Sequence, residues 1–191
     1  MVRFFKAWRD TEASTPGILC LDADDSIPYE GLALPPQWSV EIRPRYKSLG
    51  DNTNAYFMDY RQEAFYGLLA DDAVPVTKHW DRLLIEAAGK NGVACCFDGI
   101  NNGSGLGSSP CIAGDFVRRN GWIIYPGLAR IYGDNIIYAI AQSRGVLKYL
   151  PDVVVEHWHF STGKSPHDAT YEKGATNGAD HYIYETWKAS A

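Results

Sequence analysis

Short apolar runs alternate with amphipathic segments in the first half of this chain, and no other feature of the sequence limits its fold as strongly. Residues 17–22 and 92–97 are apolar runs of the kind that become buried parallel strands. Residues 3–13 and 77–88 carry apolar side chains at helical spacing. This alternation predicts an α/β fold: a single Rossmann-type domain over residues 1–191, with a mixed, mostly parallel sheet and helices on both of its faces.

Glycine, proline and polar runs separate the predicted elements. The predicted strands are residues 17–22, 38–42, 65–69, 92–97, 146–149 and 153–157, and the predicted helices are residues 3–13, 49–61, 77–88, 115–120 and 135–144. Thr77 is a candidate N-cap for the third helix. Pro28 lies in an irregular connection. Residues 98–110 contain four glycines, three serines and two asparagines, which is typical of a functional loop.

Composition excludes several classes of protein. The 191 residues carry 18 basic and 23 acidic side chains, a net charge of −5, which argues against a protein that binds nucleic acid over its whole surface. The net charge does not exclude local basic patches that bind nucleic acid. The four cysteines show no C-x-x-C spacing and are expected to be reduced. No signal peptide or membrane span is predicted. We therefore expect a cytoplasmic protein, or one in the host cytoplasm if the chain is viral, that contacts no membrane.

Acidic residues follow two of the predicted strands directly. Asp22, Asp24 and Asp25 follow the first, and Asp71 and Asp72 follow the third. Ligands of open α/β sheets bind beyond the carboxyl ends of strands, so the two clusters are candidates for one shared crevice. Crowded carboxylates there favour a bound cation. The alternative is that each aspartate only forms a turn or a helix cap.

Two histidines stand close together near the end of the last predicted strand. His157 and His159 are two residues apart, so in a strand both side chains lie on one face, at a spacing that suits a metal. Histidine combined with carboxylate ligands favours Mn²⁺. The alternative is that one histidine packs under Trp158 or caps the strand end. We expect one ligand rather than two.

Basic residues and one further aspartate complete the candidates. Arg43, Arg45 and Lys47 alternate, so in a strand they share a face and are placed to bind a diphosphate, and Lys164 is a second candidate for the same anion. Each is also explained as a solvated charge. Asp134 at a helix start is either an N-cap or a general base. The sequence lacks G-x-G-x-x-G, Walker A and G-x-S-x-G motifs.

The order of these parts resembles the GT-A-fold nucleotide-sugar glycosyltransferases, in particular family 2 and its small phage and bacterial members. Residues 45–54 look like the segment that links the nucleotide-binding strand to the next helix. Residues 65–75 with Trp80-Asp81 are similar to the strand that ends in the DxD motif. Residues 113–122 look like the acceptor-side helix, and Asp134-Asn135 stands where the family has its base motif.

The resemblance implies transfer of a hexose from an NDP-sugar, in the first instance a UDP-sugar, to an acceptor hydroxyl, with Mn²⁺ or Mg²⁺ as cofactor. It implies Asp72 with His157 or His159 as metal ligands, Asp134 as the catalytic base, and Asp71 at the ribose or at a metal-bound water. The implied nucleotide-sugar residues are Asp22, Asp24, Asp25, Arg43, Arg45, Lys47, Asn54, Asp71 and Lys164. Ala70 replaces the first aspartate of DxD, and Met1 leads almost directly into the first predicted helix, where the family usually has a strand, so that either the chain lacks this strand or the given start is late.

The acceptor is open. Some similar phage enzymes, associated with TET-type oxygenases, glycosylate 5-hydroxymethylcytosine in DNA, and a glycan or small molecule is the alternative acceptor. The residues that could form a basic strip for DNA are Arg118, Arg119, Arg130, Arg144 and Lys148. Two other classes also remain: a zinc hydrolase built on His157, His159, Asp72 and Asp134, and a non-catalytic module that binds carbohydrate or nucleotide through its aromatic side chains.

Overall fold

The computed structural model describes residues 2–26, 29, 31–100, 107–167 and 178–191. Its helices are α1 (Val2–Asp10), α2 (Leu49–Asp59), α3 (Trp80–Ala88), α4 (Gly114–Asn120), α5 (Gly133–Ser143) and α6 (Gly178–Ser190), with 3₁₀ turns at Ala23–Asp25 and Phe160–Thr162. Its strands are β1 (Gly17–Asp22), β2 (Trp38–Arg43), β3 (Phe65–Gly67), β4 (Ala73–Pro75), β5 (Val93–Phe97), β6 (Cys111–Ala113) and β7 (Leu147–His157). No helix in this part of the chain is long and apolar enough to span a membrane.

The strands form two sheets. A five-stranded sheet has the order β3-β6-β5-β7-β4, and β1 and β2 form a separate parallel pair. In the larger sheet only β5 and β7 are parallel, whereas the other three pairs are antiparallel. The α/β class and the mixed sheet are confirmed, but the prediction of a mostly parallel sheet is wrong. The reason is that β3, β4 and β6 are three-residue strands that run back along their neighbours, and β4 and β6 are too short to show a periodicity.

Helices cover both faces of the larger sheet, as the sequence predicts. Side chains alternate along β5. Ala94 and Cys96 belong to a core with α1 and α3, whereas Val93 and Cys95 belong to a core with α4 and α5. All four side chains are buried. A strand buried on both faces reads as a continuous apolar run, and this explains why β5 is evident from the sequence.

Aromatic rings dominate the first of these cores. Trp8 of α1 lies edge to face against Trp38 and Trp80, with ring centroids 5.0 and 5.5 Å apart, and Phe4 and Phe5 contact Trp38 in the same geometry. Such pairs contribute beyond the area that they bury. Half of the six tryptophans of the chain therefore serve the core.

Some predicted elements need correction. α3 begins at Trp80 with His79 at its N-cap, and Thr77 is not the cap, because its hydroxyl accepts a hydrogen bond from Val154 N–H in the neighbouring strand. Residues 146–149 and 153–157 are not two strands but belong to β7, whose register against β5 shifts between Cys96 and Phe97. Pro28 and residues 101–106 of the predicted loop lie outside the described residues.

Candidate functional site

Three strand ends meet at one edge of the larger sheet. β5 and β7 are parallel, so Asp98, which follows β5, and His157, which ends β7, lie at the same edge. β4 is antiparallel to β7 and begins there, with Asp72 directly before it. Two backbone bonds join the three ends: His157 N–H donates to the Asp98 carbonyl over 2.8 Å, and Trp158 N–H donates to the Asp72 carbonyl over 2.9 Å. The edge therefore holds these residues in fixed register.

Asp72 and His157 form an ion pair at this edge. His157 Nε2 lies 3.1 Å from Asp72 Oδ2, and the two side chains are 25% and 21% exposed, so water reaches the pair only partly. The hydrogen bond to Asp72 raises the pKa of His157 against the opposing effect of burial, and the charges of Asp72, Asp98 and Asp134 raise that pKa further. The structure thus brings together a carboxylate and an imidazole that are 85 positions apart in sequence (157 − 72).

Asp134, on α5, lies within electrostatic range of the same imidazole. It lies in the first turn of that helix, and Tyr132, not Asp134, occupies the N-cap. The Asp134 carboxylate accepts a hydrogen bond of 2.9 Å from Asn135 N–H. Burial raises the pKa of Asp134, and the charge of Asp98 raises it further, while His157 lowers it. The N-cap interpretation therefore does not hold for this residue, and its carboxylate belongs to the electrostatics of the site.

Asp98 is the residue of the site that the sequence analysis missed. Its side chain is 1% exposed and accepts hydrogen bonds from Ile100 N–H and Ser108 N–H, over 2.9 and 3.1 Å. It therefore holds both ends of the glycine-rich loop. Gly107 lies so close to β5 that a Cβ atom would be 2.1 Å from the Cys96 carbonyl oxygen. The rule that singled out Asp22 and Asp72, an acid directly after an apolar strand, also applies to Asp98.

His159 has a different structural role from His157. β7 ends at His157, so the two histidines do not share a strand face as predicted. Their ring centroids are 5.4 Å apart. His159 Nδ1 lies 2.8 Å from Ser161 Oγ and accepts from Ser161 N–H, so that it caps the 3₁₀ turn Phe160–Thr162. Burial lowers the pKa of His159, and the charge of His157 lowers it further.

The metal-binding capacity of the edge is limited. Within the described ranges, no group of three or more histidine, cysteine or acidic side chains is arranged to hold a metal ion. Asp72 and His157 provide one oxygen and one nitrogen ligand at 3.1 Å from each other. A cation that takes further ligands from a bound substrate fits this pair, as Mg²⁺ does when phosphates complete its coordination.

Three of the predicted donor-binding residues, Asp22, Asp24 and Arg45, lie together at the end of β1. Arg45 bridges two of the acids, with Nη1 2.8 Å from Asp22 Oδ2 and Nε 2.9 Å from Asp24 Oδ2. β2 ends at Arg43, so Arg45 and Lys47 lie in the connection after the strand and their predicted alternation along it is wrong. Arg45 is 55% exposed. The first acid cluster is therefore paired with a cation of the protein.

The second acid cluster approaches the first around one tyrosine. Burial raises the pKa of Tyr29, and the charges of both Asp71 and Asp25 raise it further, so both aspartates lie within electrostatic range of its hydroxyl. Tyr29 also lines an apolar cavity of about 250 Å³ on one face of the β1–β2 pair, next to Leu21 and Ile42. The prediction that both clusters directly follow strands of one sheet is wrong, because β3 ends at Gly67, Asp71 and Asp72 directly precede β4, and β1 belongs to the separate pair.

Three predicted ligand-binding residues have structural partners. Arg43 is paired with Glu41 and Asp59. Asn54 accepts from Ile123 and Ile124 N–H groups and donates to the Ile124 carbonyl, so its amide holds a loop. Lys164 pairs with Glu156 over 2.8 Å. These side chains are already occupied by neighbours within the fold, which the sequence pattern did not reveal.

Comparison with protein-family models, with curated proteins and with solved structures finds no match for this chain.

Proposed function

We propose that this protein is a glycosyltransferase that moves a hexose from an NDP-sugar, with UDP-sugars the first candidates, to an acceptor hydroxyl. The Asp72–His157 pair carries the proposal: the two side chains lie 3.1 Å apart at the carboxyl edge of the sheet, and Asp134 acts on the same imidazole. Ligands of α/β sheets bind at this edge. The charges of Asp72, Asp98 and Asp134 all act on this imidazole, and this concentration of acids suits a substrate that arrives with a cation.

The donor set at this edge fits Mn²⁺ or Mg²⁺. Asp72 and His157 are the residues that would hold the cation, because carboxylate oxygen and imidazole nitrogen both suit Mn²⁺. The remaining positions would be taken by substrate phosphates and water. When bound, such a cation neutralises the charge that develops on a leaving diphosphate.

Asp134 is proposed as the base of the transfer step. The acceptor oxygen forms a bond to the anomeric carbon while the bond from that carbon to the diphosphate oxygen breaks, and the electron pair of the broken bond stays with the diphosphate. The proton of the acceptor hydroxyl goes to the Asp134 carboxylate. Burial raises the pKa of Asp134 and makes its ionised form a stronger base. A single displacement of this kind inverts the anomeric carbon, so an α-linked donor gives a β-linked product.

The region at the end of β1 is proposed to hold the nucleotide. Asp22, Asp24 and Asp25 offer acceptors to ribose hydroxyls or to the base, and the apolar cavity beside Tyr29 offers space for a flat ring. Arg45 is the best-placed cation for the diphosphate, because its guanidinium is exposed and already bound to carboxylates that a phosphate could replace.

The acceptor remains a choice between 5-hydroxymethylcytosine in DNA and a glycan or small molecule. Two members of the predicted basic strip have structural contacts: Arg118 donates to the carbonyls of Arg61 and Glu63, and Arg144 lies over the Phe116 ring. Arg119, Arg130, Arg144 and Lys148 of the strip are exposed. We propose DNA as the first acceptor to assay, with salt dependence as the diagnostic.

The zinc hydrolase is the second candidate. A catalytic zinc ion takes three protein ligands and a water. Because His159 caps the turn that follows β7, the edge presents two nearby ligands, Asp72 and His157. This arrangement suits a cation completed by a nucleotide diphosphate better than one that binds water alone. The non-catalytic module loses support because Trp8, Trp38 and Trp80 pack in the core.

A thermal-shift matrix tests the proposed function. The purified protein is melted alone, with UDP, with UDP-glucose, with Mn²⁺, and with nucleotide and Mn²⁺ together. A glycosyltransferase of this kind is stabilised most by nucleotide and metal together, since each ligand completes the site of the other. Stabilisation by metal alone supports the hydrolase, and stabilisation by nucleotide regardless of metal supports the binding module. No stabilisation by any combination overturns the proposal.

A further inference from the structure

The last helix binds the segment that leads into α5. Asp180, in the first turn of α6, is completely buried. Its carboxylate accepts hydrogen bonds from three successive backbone N–H groups, those of Ala129, Arg130 and Ile131, over 2.8, 2.8 and 2.9 Å. Hydrogen bonds to an ionised carboxylate are about twice as strong as neutral ones. One side chain from the end of the chain therefore fixes three consecutive peptide units some fifty positions earlier.

Tyr132, the next residue, is held by the same helix. Its ring stacks on Tyr184 with centroids 4.6 Å apart and planes 4° from parallel, and its hydroxyl lies 3.1 Å from His181 Nδ1. Tyr132 has a φ of 67°, a left-handed conformation that is unfavourable for a bulky residue and persists only where surrounding contacts impose it. Asp180, His181 and Tyr184 supply such contacts.

Tyr132 is also the N-cap of α5, and Asp134 lies two residues further on. The direction in which α5 starts, and with it the direction of the Asp134 side chain, follows from the backbone of residues 129–132. Gly133 adds a close contact, because a Cβ atom there would lie 2.7 Å from Ile124 Cδ1. The segment before Asp134 is thus fixed by contacts on both sides.

We propose that Asp180 is a positioning residue for Asp134: by binding the backbone of residues 129–131 it sets the start of α5 and with it the position of the Asp134 carboxylate at the candidate site. The role of Asp134 as a base rests on the proposed function. The claim that Asp180 controls the environment of the Asp134 carboxylate does not depend on that function. A displacement of about 1 Å in a reacting group is enough to lower a rate by roughly 100-fold.

The chain offers a matched control. Asp81 is likewise a buried aspartate in the first turn of a helix, and its carboxylate accepts from two successive backbone N–H groups, those of Ser14 and Thr15, and from the Thr15 hydroxyl. Asp81→Asn and Asp180→Asn make the same chemical change at two buried anchors. Of the two aspartates, only Asp180 binds the segment that leads into Asp134.

The experiment compares Asp180→Asn, Asp81→Asn and the unmodified chain in two measurements. The first is the titration of the Asp134 side-chain carboxyl by carbon NMR, which needs no activity. We expect its midpoint to move down toward the ordinary aspartate value in Asp180→Asn, because a displaced carboxyl is better hydrated, and to stay unchanged in Asp81→Asn. The second is steady-state transfer from UDP-glucose, where we expect kcat to fall roughly 10–100-fold in Asp180→Asn alone, with KM for the donor retained.

An Asp134 midpoint that is the same in Asp180→Asn and in the unmodified chain overturns the inference, and so does an equal loss of kcat in the two variants. If the unmodified chain transfers no sugar, the proposed function fails and the titration alone decides the positioning role. If Asp180→Asn does not fold, Tyr184→Leu replaces it, since it removes the ring that stacks on Tyr132, together with its contacts to Trp187 and Lys188 in the same helix, and leaves the Asp180 carboxylate unchanged. Tyr182→Leu, at a residue 73% exposed on the same helix, is then the control.

Discussion

The backbone N–H of His157 donates to the carbonyl of Asp98, so the ends of the two parallel strands of the larger sheet are joined at the point where the candidate site begins. This bond fixes β7 relative to β5 immediately beyond the register shift between Cys96 and Phe97. The side chain of His157 then projects toward Asp72, while that of Asp98 turns back to hold the glycine-rich loop. Asp98 and His157 thus join the two strand ends through their backbones, while their side chains hold the loop and contact Asp72.

Replacement of Asp72 by asparagine is expected to abolish the joint effect of nucleotide and Mn²⁺ on the melting temperature. Asparagine keeps the shape but loses the charge that a divalent cation requires. At 100 times Kd the lost stabilisation corresponds to about 2.7 kcal/mol. Thermal-shift titration measures it, with Asp152→Asn as the control at an exposed residue of β7. If Mn²⁺ and UDP together stabilise Asp72→Asn as they do the unmodified chain, Asp72 is not a ligand.

Replacement of Asp134 by asparagine is expected to lower kcat roughly 10²–10⁴-fold while donor affinity is retained, because an amide cannot take the acceptor proton. The amide oxygen can still accept from Asn135 N–H, so the start of α5 is preserved. Transfer kinetics with UDP-glucose measure the loss, and the anomeric proton coupling of the product reports a β-linkage. An α-linked product would point to a retaining mechanism, and full activity of the variant would eliminate Asp134 as the base.

Replacement of Arg45 by alanine is expected to weaken binding of a UDP-sugar without lowering the melting temperature appreciably. Arg45 is exposed, and exposed ion pairs contribute little to stability. Its removal leaves Asp22 and Asp24 without their cation next to an incoming diphosphate. Calorimetric titration gives Kd, and Lys90→Ala at an exposed site after α3 controls for the loss of one positive charge. An unchanged Kd would remove Arg45 from the donor site.

Asp81 is expected to make the stability of the fold dependent on pH in acid. Burial opposes ionisation, but the hydrogen bonds from Thr15 and Ser14 outweigh it and lower the pKa of Asp81 below its ordinary value of 3.8. A group whose pKa is lower in the folded state contributes stability above its unfolded pKa and loses it as the pH falls through the folded pKa. Denaturant unfolding between pH 2 and pH 7, run on Asp81→Asn in parallel, isolates this component.

In Asp81→Asn the acid-dependent component should be missing, and the free energy of unfolding at neutral pH should fall by about 1–3 kcal/mol, because the hydrogen bonds from Ser14 and Thr15 then end on a neutral amide oxygen, which is a weaker acceptor than a carboxylate. Identical pH profiles for the variant and the unmodified chain would contradict the assignment.

Replacement of Gly107 by alanine is expected to destabilise the fold by about 1–3 kcal/mol, because its Cβ would meet the Cys96 carbonyl at 2.1 Å and the backbone must shift. Gly67→Ala is the matched control, since a Cβ there has no neighbour within 4 Å and its effect should stay within about 0.5 kcal/mol. Chemical denaturation compares the two. Equal losses of stability in the two variants would show that position 107, where the glycine-rich loop passes β5, tolerates a side chain.

The sequence predicts elements whose signal is local and fails where partners are distant. β1 and β5 are apolar runs, and their bounds follow from composition alone. β4 and β6 have three residues each and become strands only because β7 and β5 lie beside them. The same holds for side chains. Nothing near Asn54 in the sequence indicates that Ile123 and Ile124 will occupy its amide.

The site was predictable to a similar degree. Asp72, His157 and Asp134 are polar residues at element ends, where α/β sheets place their ligands, and the structure brings them to one edge. The pairing of Arg43 with Glu41 follows from the two-residue alternation of a strand, which puts both side chains on one face of β2. The partner of Lys164 could not be foreseen, because Glu156 becomes its neighbour only through the turn after β7. Asp98 was missed although it satisfies the rule that found the others.

The perpendicular indoles of Trp8, Trp38 and Trp80 give the first helix an optical signature of its own. Transition dipoles at separations of 5.0 and 5.5 Å couple when the rings are held in a fixed mutual orientation, and this produces a paired positive and negative band in circular dichroism. Trp187 of α6 lies outside this cluster, near Tyr125 and Tyr184. Detachment of α1 from the sheet would therefore extinguish the couplet while α6 is still docked, and the two ends of the chain can be followed separately as the protein unfolds.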